Sequence, residues 1–200
     1  MRIHSLAMVV ALLLAAALAL FDARPAAAAE MCFPQTNHCV RGRFLDQWQN
    51  FGGLAINGYP LTDERMETLE DGKPYLVQYF ERVRMEHHAE YAGTQYEVLL
   101  GQFGRHFHPA DPPAPAQAGM TYFNVTGHNV NPTIMAYWSA NGGLAQFGFP
   151  LSELITETLE DGKAYQVQYF ERARFELHPE NQPPNDVELG QFGRRILSER

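Results

Sequence analysis

Two stretches of this sequence carry the same ionisable text. Arg82-Val-Arg84-Met-Glu86-His-His88-Ala-Glu90 recurs as Arg172-Ala-Arg174-Phe-Glu176-Leu-His178-Pro-Glu180, and each is preceded by an aromatic residue, Phe80 or Phe170. In an extended chain alternate residues share a face at steps of about 6.6 Å, so the arginines, glutamates and histidine would stand in one row. Planar guanidinium and carboxylate groups suit sugar hydroxyls, while a neighbouring ring can stack on the apolar face of a sugar. The candidate ligand-binding residues are therefore Phe80, Arg82, Arg84, Glu86 and His88, with Phe170, Arg172, Arg174, Glu176 and His178. The plainer reading of the same row is a solvated face whose opposite charges pair across strands or between units.

Other chemistry can be weighed the same way. Glu81 and Glu171 fall in the apolar row of the same extended run, where an ionised carboxylate is costly unless paired. A catalytic acid is one use for such a group. A bulge that turns it outward, or a pairing with Arg82 or Arg84 of a neighbouring strand, is another. Glu86, His88 and Glu90 offer metal-ligand types, but three alternate residues on a straight strand span about 13 Å and do not converge on one ion. No Gly-x-Ser-x-Gly elbow, phosphate loop or dinucleotide fingerprint occurs, so the sequence implies no cofactor and no catalytic residue.

The elements that must position these residues follow from a repeat. At an offset of 90, Trp48 to Glu90 matches Trp138 to Glu180 at about 26 of 43 positions, and Leu100-Gly-Gln-Phe-Gly-Arg105 returns as Leu189 to Arg194 at an offset of 89. Two homologous units result, residues 31–107 and 121–197, joined by a Pro/Ala-rich linker at 108–120 whose composition favours an extended, semi-rigid spacer. In the second unit Asn131 can cap a helix, Pro132 suits its first position, and Ile134, Met135 and Trp138 form an apolar stripe before Gly142-Gly143. Phe44, Leu45 and Trp48 repeat that stripe, inward-facing, in the first unit. Asp71-Gly72 and Asp161-Gly162 mark hairpins. The run after each hairpin alternates with period two and predicts one long strand, with Val77, Tyr79, Glu81, Val83 and Met85 on one side and Gln78 to Glu90 on the other. Each unit is expected to be a short amphipathic helix on a small antiparallel sheet, an α+β fold. At about 75 residues a unit has a marginal core, so the two should pack together or lean on a covalent link.

The N-terminus reads as an export signal over residues 1–29, with Arg2 in a short n-region, an apolar stretch from Leu6 to Phe21 and a cleavage site at Ala29. Removing Arg2, Asp22 and Arg24 changes the formal charge from −8 to −9. Cys32 and Cys39 would then enter an oxidising compartment, where a disulfide is the expected state; a metal site with His38 and a catalytic thiol are the competing uses. With 23 acidic against 15 basic residues there is no electrostatic footprint for nucleic acid, and no later segment predicts a membrane span.

Trp48, Gly52-Gly-Leu54 and Gly58-Tyr-Pro60-Leu61, with Trp138, Gly142-Gly-Leu144 and Phe147-Gly-Phe-Pro150-Leu151, resemble LGFP-type repeats. The complete unit, with Val-Gln-Tyr-Phe-Glu-Arg and Leu-Gly-Gln-Phe-Gly, is similar to a repeat in exported proteins of Chloroflexota-like bacteria. The resemblance covers nearly the whole chain after the signal. It implies a secreted, cell-envelope module that holds wall polysaccharide without catalytic residues of its own. A structural or protein-binding spacer is the rival expectation, and a glycan or peptide hydrolase using Glu81, Glu86 or their copies is the third.

Overall fold

The Asn131 side chain accepts a hydrogen bond from the Thr133 N–H at 2.9 Å, and Pro132 takes the first helical position, so the second unit's main helix starts where its sequence places it. The computed structural model describes residues 29–200, so all but the last residue of the segment expected to be an export signal lies outside the described part. The first unit contains β1 (Glu30–Phe33), β2 (His38–Arg41), α1 (Gly42–Asn50), α2 (Gly53–Asn57), β3 (Arg65–Thr68), β4 (Pro74–Tyr79), β5 (Arg84–His87), β6 (Val98–Leu100) and α3 (Phe103–Phe107). The second repeats the series as β7 (Thr121–Phe123), β8 (His128–Val130), α4 (Pro132–Ala140), α5 (Gly143–Phe147), β9 (Ile155–Thr158), β10 (Ala164–Tyr169), β11 (Arg174–Leu177), β12 (Val187–Leu189) and α6 (Phe192–Ser198). Each unit has a two-stranded ribbon and a four-stranded antiparallel sheet, ordered β3-β4-β5-β6 or β12-β11-β10-β9. This is an α+β fold.

Both main helices end at glycines in the left-handed region, Gly52 at φ 85° and Gly142 at φ 101°, where a side chain would be strained. Trp48 and Trp138 lie on the inward stripes and donate from Nε1 to the carbonyls of Gly58 and Gly148 at 3.0 and 3.1 Å. In the first ribbon Cys32 sits opposite Cys39, and the two form a disulfide. The second ribbon has Tyr122 opposite Asn129 instead.

The long strand expected after each Asp-Gly hairpin is two strands. The chain folds back at Phe80–Val83, closed by the Phe80 N–H donating to the Val83 carbonyl at 2.8 Å, so Tyr79 pairs with Arg84 and Val77 with Glu86. Cross-strand partners share a sheet face. Arg84 and Glu86 therefore stand on the side of Tyr79 and Val77, not opposite them, and the single polar row does not exist. The fold-back at Phe170–Ala173 is the same. These turns contain no glycine, proline or asparagine, and their backbone is satisfied from a distance. The Glu81 and Arg82 N–H groups donate to the carbonyls of Tyr59 and Asn57 at 3.0 and 3.2 Å.

Three cores result. Phe44, Phe80 and Met85 anchor one within the first unit, and Ile134, Phe170 and Phe175 anchor one largely within the second. The third is shared: Val77, Tyr79 and Phe103 pack with Val167, Tyr169 and Phe192. Neither unit closes this core alone.

Residues 108–120 form no helix or strand and turn at their end, and they do not act as a free spacer. They lie along the second unit: Asp111 N–H donates to the Leu151 carbonyl and Ala114 N–H to the Gly127 carbonyl, both at 2.8 Å. Asn129 takes the Gln117 N–H at 2.8 Å and donates to the Pro115 carbonyl at 2.9 Å. The His108 ring stacks on Tyr169 with centroids 4.3 Å apart.

Candidate functional site

Because the fold-back sets Arg84 opposite Tyr79 on the inner side of the sheet, Arg84 is carried inward to only 2% exposure, yet its guanidinium stays charged because it is bonded on every side. Nε donates to Glu86 at 2.8 Å, while Nη1 and Nη2 meet the two oxygens of Glu70 at 3.1 and 2.8 Å. The Phe103 ring lies 5.4 Å from its central carbon. Burial works against the charged form, but Glu70, Glu86 and Tyr79 outweigh it and hold the Arg84 pKa above its ordinary value. Arg174 repeats this with Glu176 at 2.9 Å and Glu160 at 2.8 Å, over Phe192 at 5.6 Å, and its pKa is raised the same way.

The string continues through histidine. His88 Nδ1 is 3.1 Å from Glu90 and Nε2 is 3.4 Å from Glu86, with the ring 4.3 Å from that of Tyr75. Tyr75 in turn donates to Asp71 at 2.8 Å, which pushes the phenol up to about 12. In the second unit His178 contacts Glu180 at 3.0 Å and Tyr165 donates to Asp161 at 2.9 Å, with the same effect on the phenol. His178 Nε2 is buried and has no hydrogen-bond partner.

These strings form the floors of two clefts. The first, about 520 Å³, is bounded by Glu70, Asp71, Tyr75, the Arg84-Glu86-His88 string, Gly101 and Gln102. The second, about 580 Å³, has Glu160, Asp161, Tyr165, the Arg174-Glu176-His178 string, Gly190 and Gln191 in the same places. Each cleft also takes an arginine from the opposite unit, Arg172 in the first and Arg82 in the second. Arg172 donates from Nε to the Leu100 carbonyl at 3.3 Å, and burial pushes its guanidinium pKa down. The Nε of Arg82 is buried without a partner.

Eight of the ten residues singled out from sequence thus line the clefts, but as walls and floors, not as an open face. Phe80 and Phe170 do not. Both are fully buried in the cores of their own units, so neither ring is available to stack on a ligand. Asp71, Tyr75, Gln102 and their copies also line the clefts, and the signal in the sequence that points to all six is that the repeat preserves them.

Glu81 and Glu171 sit at the fold-backs and join the units. Glu81 accepts from Arg194 Nη2 at 2.6 Å and from the Tyr59 N–H at 3.1 Å, and Glu171 pairs with Arg105 and accepts from the Phe149 N–H at 3.2 Å. The hydrogen-bonded arginine partners come from across the unit boundary, while Arg82 and Arg172 of the fold-backs themselves stand 4.0 and 3.6 Å from the same carboxylates. Burial pushes Glu64 upward, but Glu64 belongs to a separate depression of about 330 Å³ beside Arg41 and His87. Among the described residues, the one set of three or more His, Cys, Asp or Glu ligand atoms within 4.8 Å of one another is Glu30 with Cys32 and Cys39, whose sulfurs are bonded to each other. No helix among them is long and apolar enough to cross a membrane.

Compared with family models, curated proteins and solved structures, the chain matches none.

Proposed function

We propose that this protein is a non-catalytic, exported module that holds cell-envelope polysaccharide in its two clefts. The observation that carries the reading is the duplicate construction: two clefts of similar volume with the same polar groups at equivalent positions. Arg84 and Arg174 are locked by carboxylates on two sides, so the floors are rigid, and rigid planar groups lose little freedom on meeting a hydroxyl-rich ligand. The tyrosine, histidine and glutamine around them supply further donors and acceptors of the kind sugar hydroxyls use. Glu81 and Glu171 are occupied as inter-unit anchors, and Glu86 and Glu176 are paired with Arg84 and Arg174, which argues against the hydrolase alternative that relied on these glutamates. The docked linker argues against a tether.

The test is sedimentation with insoluble bacterial wall polysaccharide. The unmodified protein should co-sediment, and Gln102→Ala with Gln191→Ala, at exposed rim positions, should weaken binding by about tenfold, roughly 1.4 kcal/mol. Indifference of the unmodified protein to the glycan removes the proposal. Turnover of the polymer would favour an enzyme.

A further inference from the structure

We infer that the chain holds two separate polysaccharide strands at once, one per cleft, and so cross-links them; this rests on the reading of the clefts as glycan sites. The two clefts have no lining residue in common. Each has its own floor, Arg84-Glu86-His88 or Arg174-Glu176-His178, so a ligand filling one leaves the other's contacts free.

Each cleft is also completed from across the unit boundary, by Arg172 in the first and Arg82 in the second. A unit taken alone would present neither cleft entire. The pairing of units is therefore part of both sites, and it is held firmly. Arg194 and Arg105 clasp Glu81 and Glu171 across the boundary, and the core of Tyr79, Phe103, Tyr169 and Phe192 is common to both halves. Two sites fixed in one rigid body meet the second strand of a network at a high effective concentration once the first is bound.

Gln102 and Gln191 are equivalent exposed positions on the two rims. Gln102→Cys and Gln191→Cys, made in the full chain and capped after folding with a bulky maleimide, block one cleft each. The protein's own cysteines are bonded to each other and do not compete for the label. Circular dichroism before and after capping checks the fold. The probe is soluble wall polysaccharide released by muramidase, with stoichiometry read by calorimetry and cross-linking by light scattering. The unmodified protein should bind two strands and raise scattering, each singly capped variant should bind one strand with scattering lowered about tenfold, and the doubly capped variant should bind none. One strand per unmodified chain, or loss of all binding on capping a single cleft, overturns the cross-link and leaves the module reading standing. Undiminished scattering from a singly capped protein overturns it likewise. No binding by the unmodified protein overturns both.

Discussion

Gly104 backs onto the carbonyl oxygen of Phe170, and Gly193 stands in the same relation to Phe80. A Cβ on either glycine would overlap that backbone oxygen far inside any allowed separation. The short helix closing each unit is thereby set against the fold-back of the other, and the clasps Arg105–Glu171 and Arg194–Glu81 form beside it. Alanine at a helical position ordinarily stabilises relative to glycine. Here Gly104→Ala and Gly193→Ala should each destabilise by about 2–3 kcal/mol, because the obstacle is main chain and overpacking has no flexible side chain to displace. Chemical denaturation gives the number, and a neutral or stabilising alanine would show that the units do not approach this closely.

The clasp itself should be lopsided. Glu81 also takes the Tyr59 N–H, whereas Arg194 is more than half exposed. Arg194→Ala should therefore cost under about 1 kcal/mol, and Glu81→Ala about 2 kcal/mol, since the latter also leaves a main-chain donor unpaired. Glu171 should outweigh Arg105 by the same reasoning. Equal losses on the two sides, measured by denaturation of the four single variants, would mean that the carboxylate acts only through its arginine.

That asymmetry also explains what could be read from the sequence. Local signals carried through where the bonds are local: Asn131 and Pro132 start α4, Asp71-Gly72 turns β3 into β4, and Cys32 faces Cys39. The fold-back at Glu81-Arg82 carried no such signal, because its main chain is satisfied by Asn57, Tyr59 and Arg194, all distant in sequence. Missing it by one turn reversed the face assigned to Arg84 and Glu86, since period-two reasoning holds only while a strand continues. The clefts were hidden for the same reason. Each combines a floor from one unit with an arginine from the other, and a repeat in sequence shows that two units exist but not how they interlock.

The carboxylates that close the two strings predict a direction for acid stability. Burial raises the pKa of Glu70 and Glu160, but hydrogen bonds from Arg84 and Arg174 outweigh it and hold both below their ordinary value of 4.5. Glu90 and Glu180 are lowered by main-chain hydrogen bonds and by His88 and His178. Groups depressed in the folded state contribute stability that is complete above the unfolded value and lost as pH falls through the folded one. Stability should thus be flat from neutral pH to about pH 5 and decline below about pH 4.5. Glu70→Gln with Glu160→Gln should flatten that decline in denaturant titrations at a series of pH values. A decline of unchanged steepness would place the acid-sensitive groups elsewhere.

The disulfide should act on one unit alone. It closes an eight-residue loop in the first ribbon, worth about 2.5 kcal/mol on chain entropy, whereas Asn129 at the matching position of the second ribbon relies on hydrogen bonds to Gln117, Pro115 and Glu153. Reduction should lower the melting temperature, and amide exchange should accelerate at Met31 to Arg41 well before Thr121 to Val130. Matching acceleration in both ribbons would show that the bond supports the shared core instead.

Tyr75 and Tyr165 offer a direct readout of the cleft floors. Each donates to an aspartate, Asp71 or Asp161, and each phenol is pushed up to about 12 chiefly by that hydrogen bond. A raised folded pKa means that the bond's contribution is complete below the unfolded value of about 10 and disappears as pH rises through about 12. In a phenolate absorbance titration these two should ionise late among the nine tyrosines, together with Tyr79, Tyr137 and Tyr169, whose phenols burial also pushes up. Asp71→Asn and Asp161→Asn should each move one phenol back toward its ordinary range, because an amide does not penalise the phenolate as a carboxylate does. The residue types at the rims would be unchanged in size, so glycan binding in these variants reports on the charge of the floor and not on its shape. A titration that the two substitutions leave unaltered would mean that the Tyr–Asp bonds are not formed in solution and that the floors are looser than drawn.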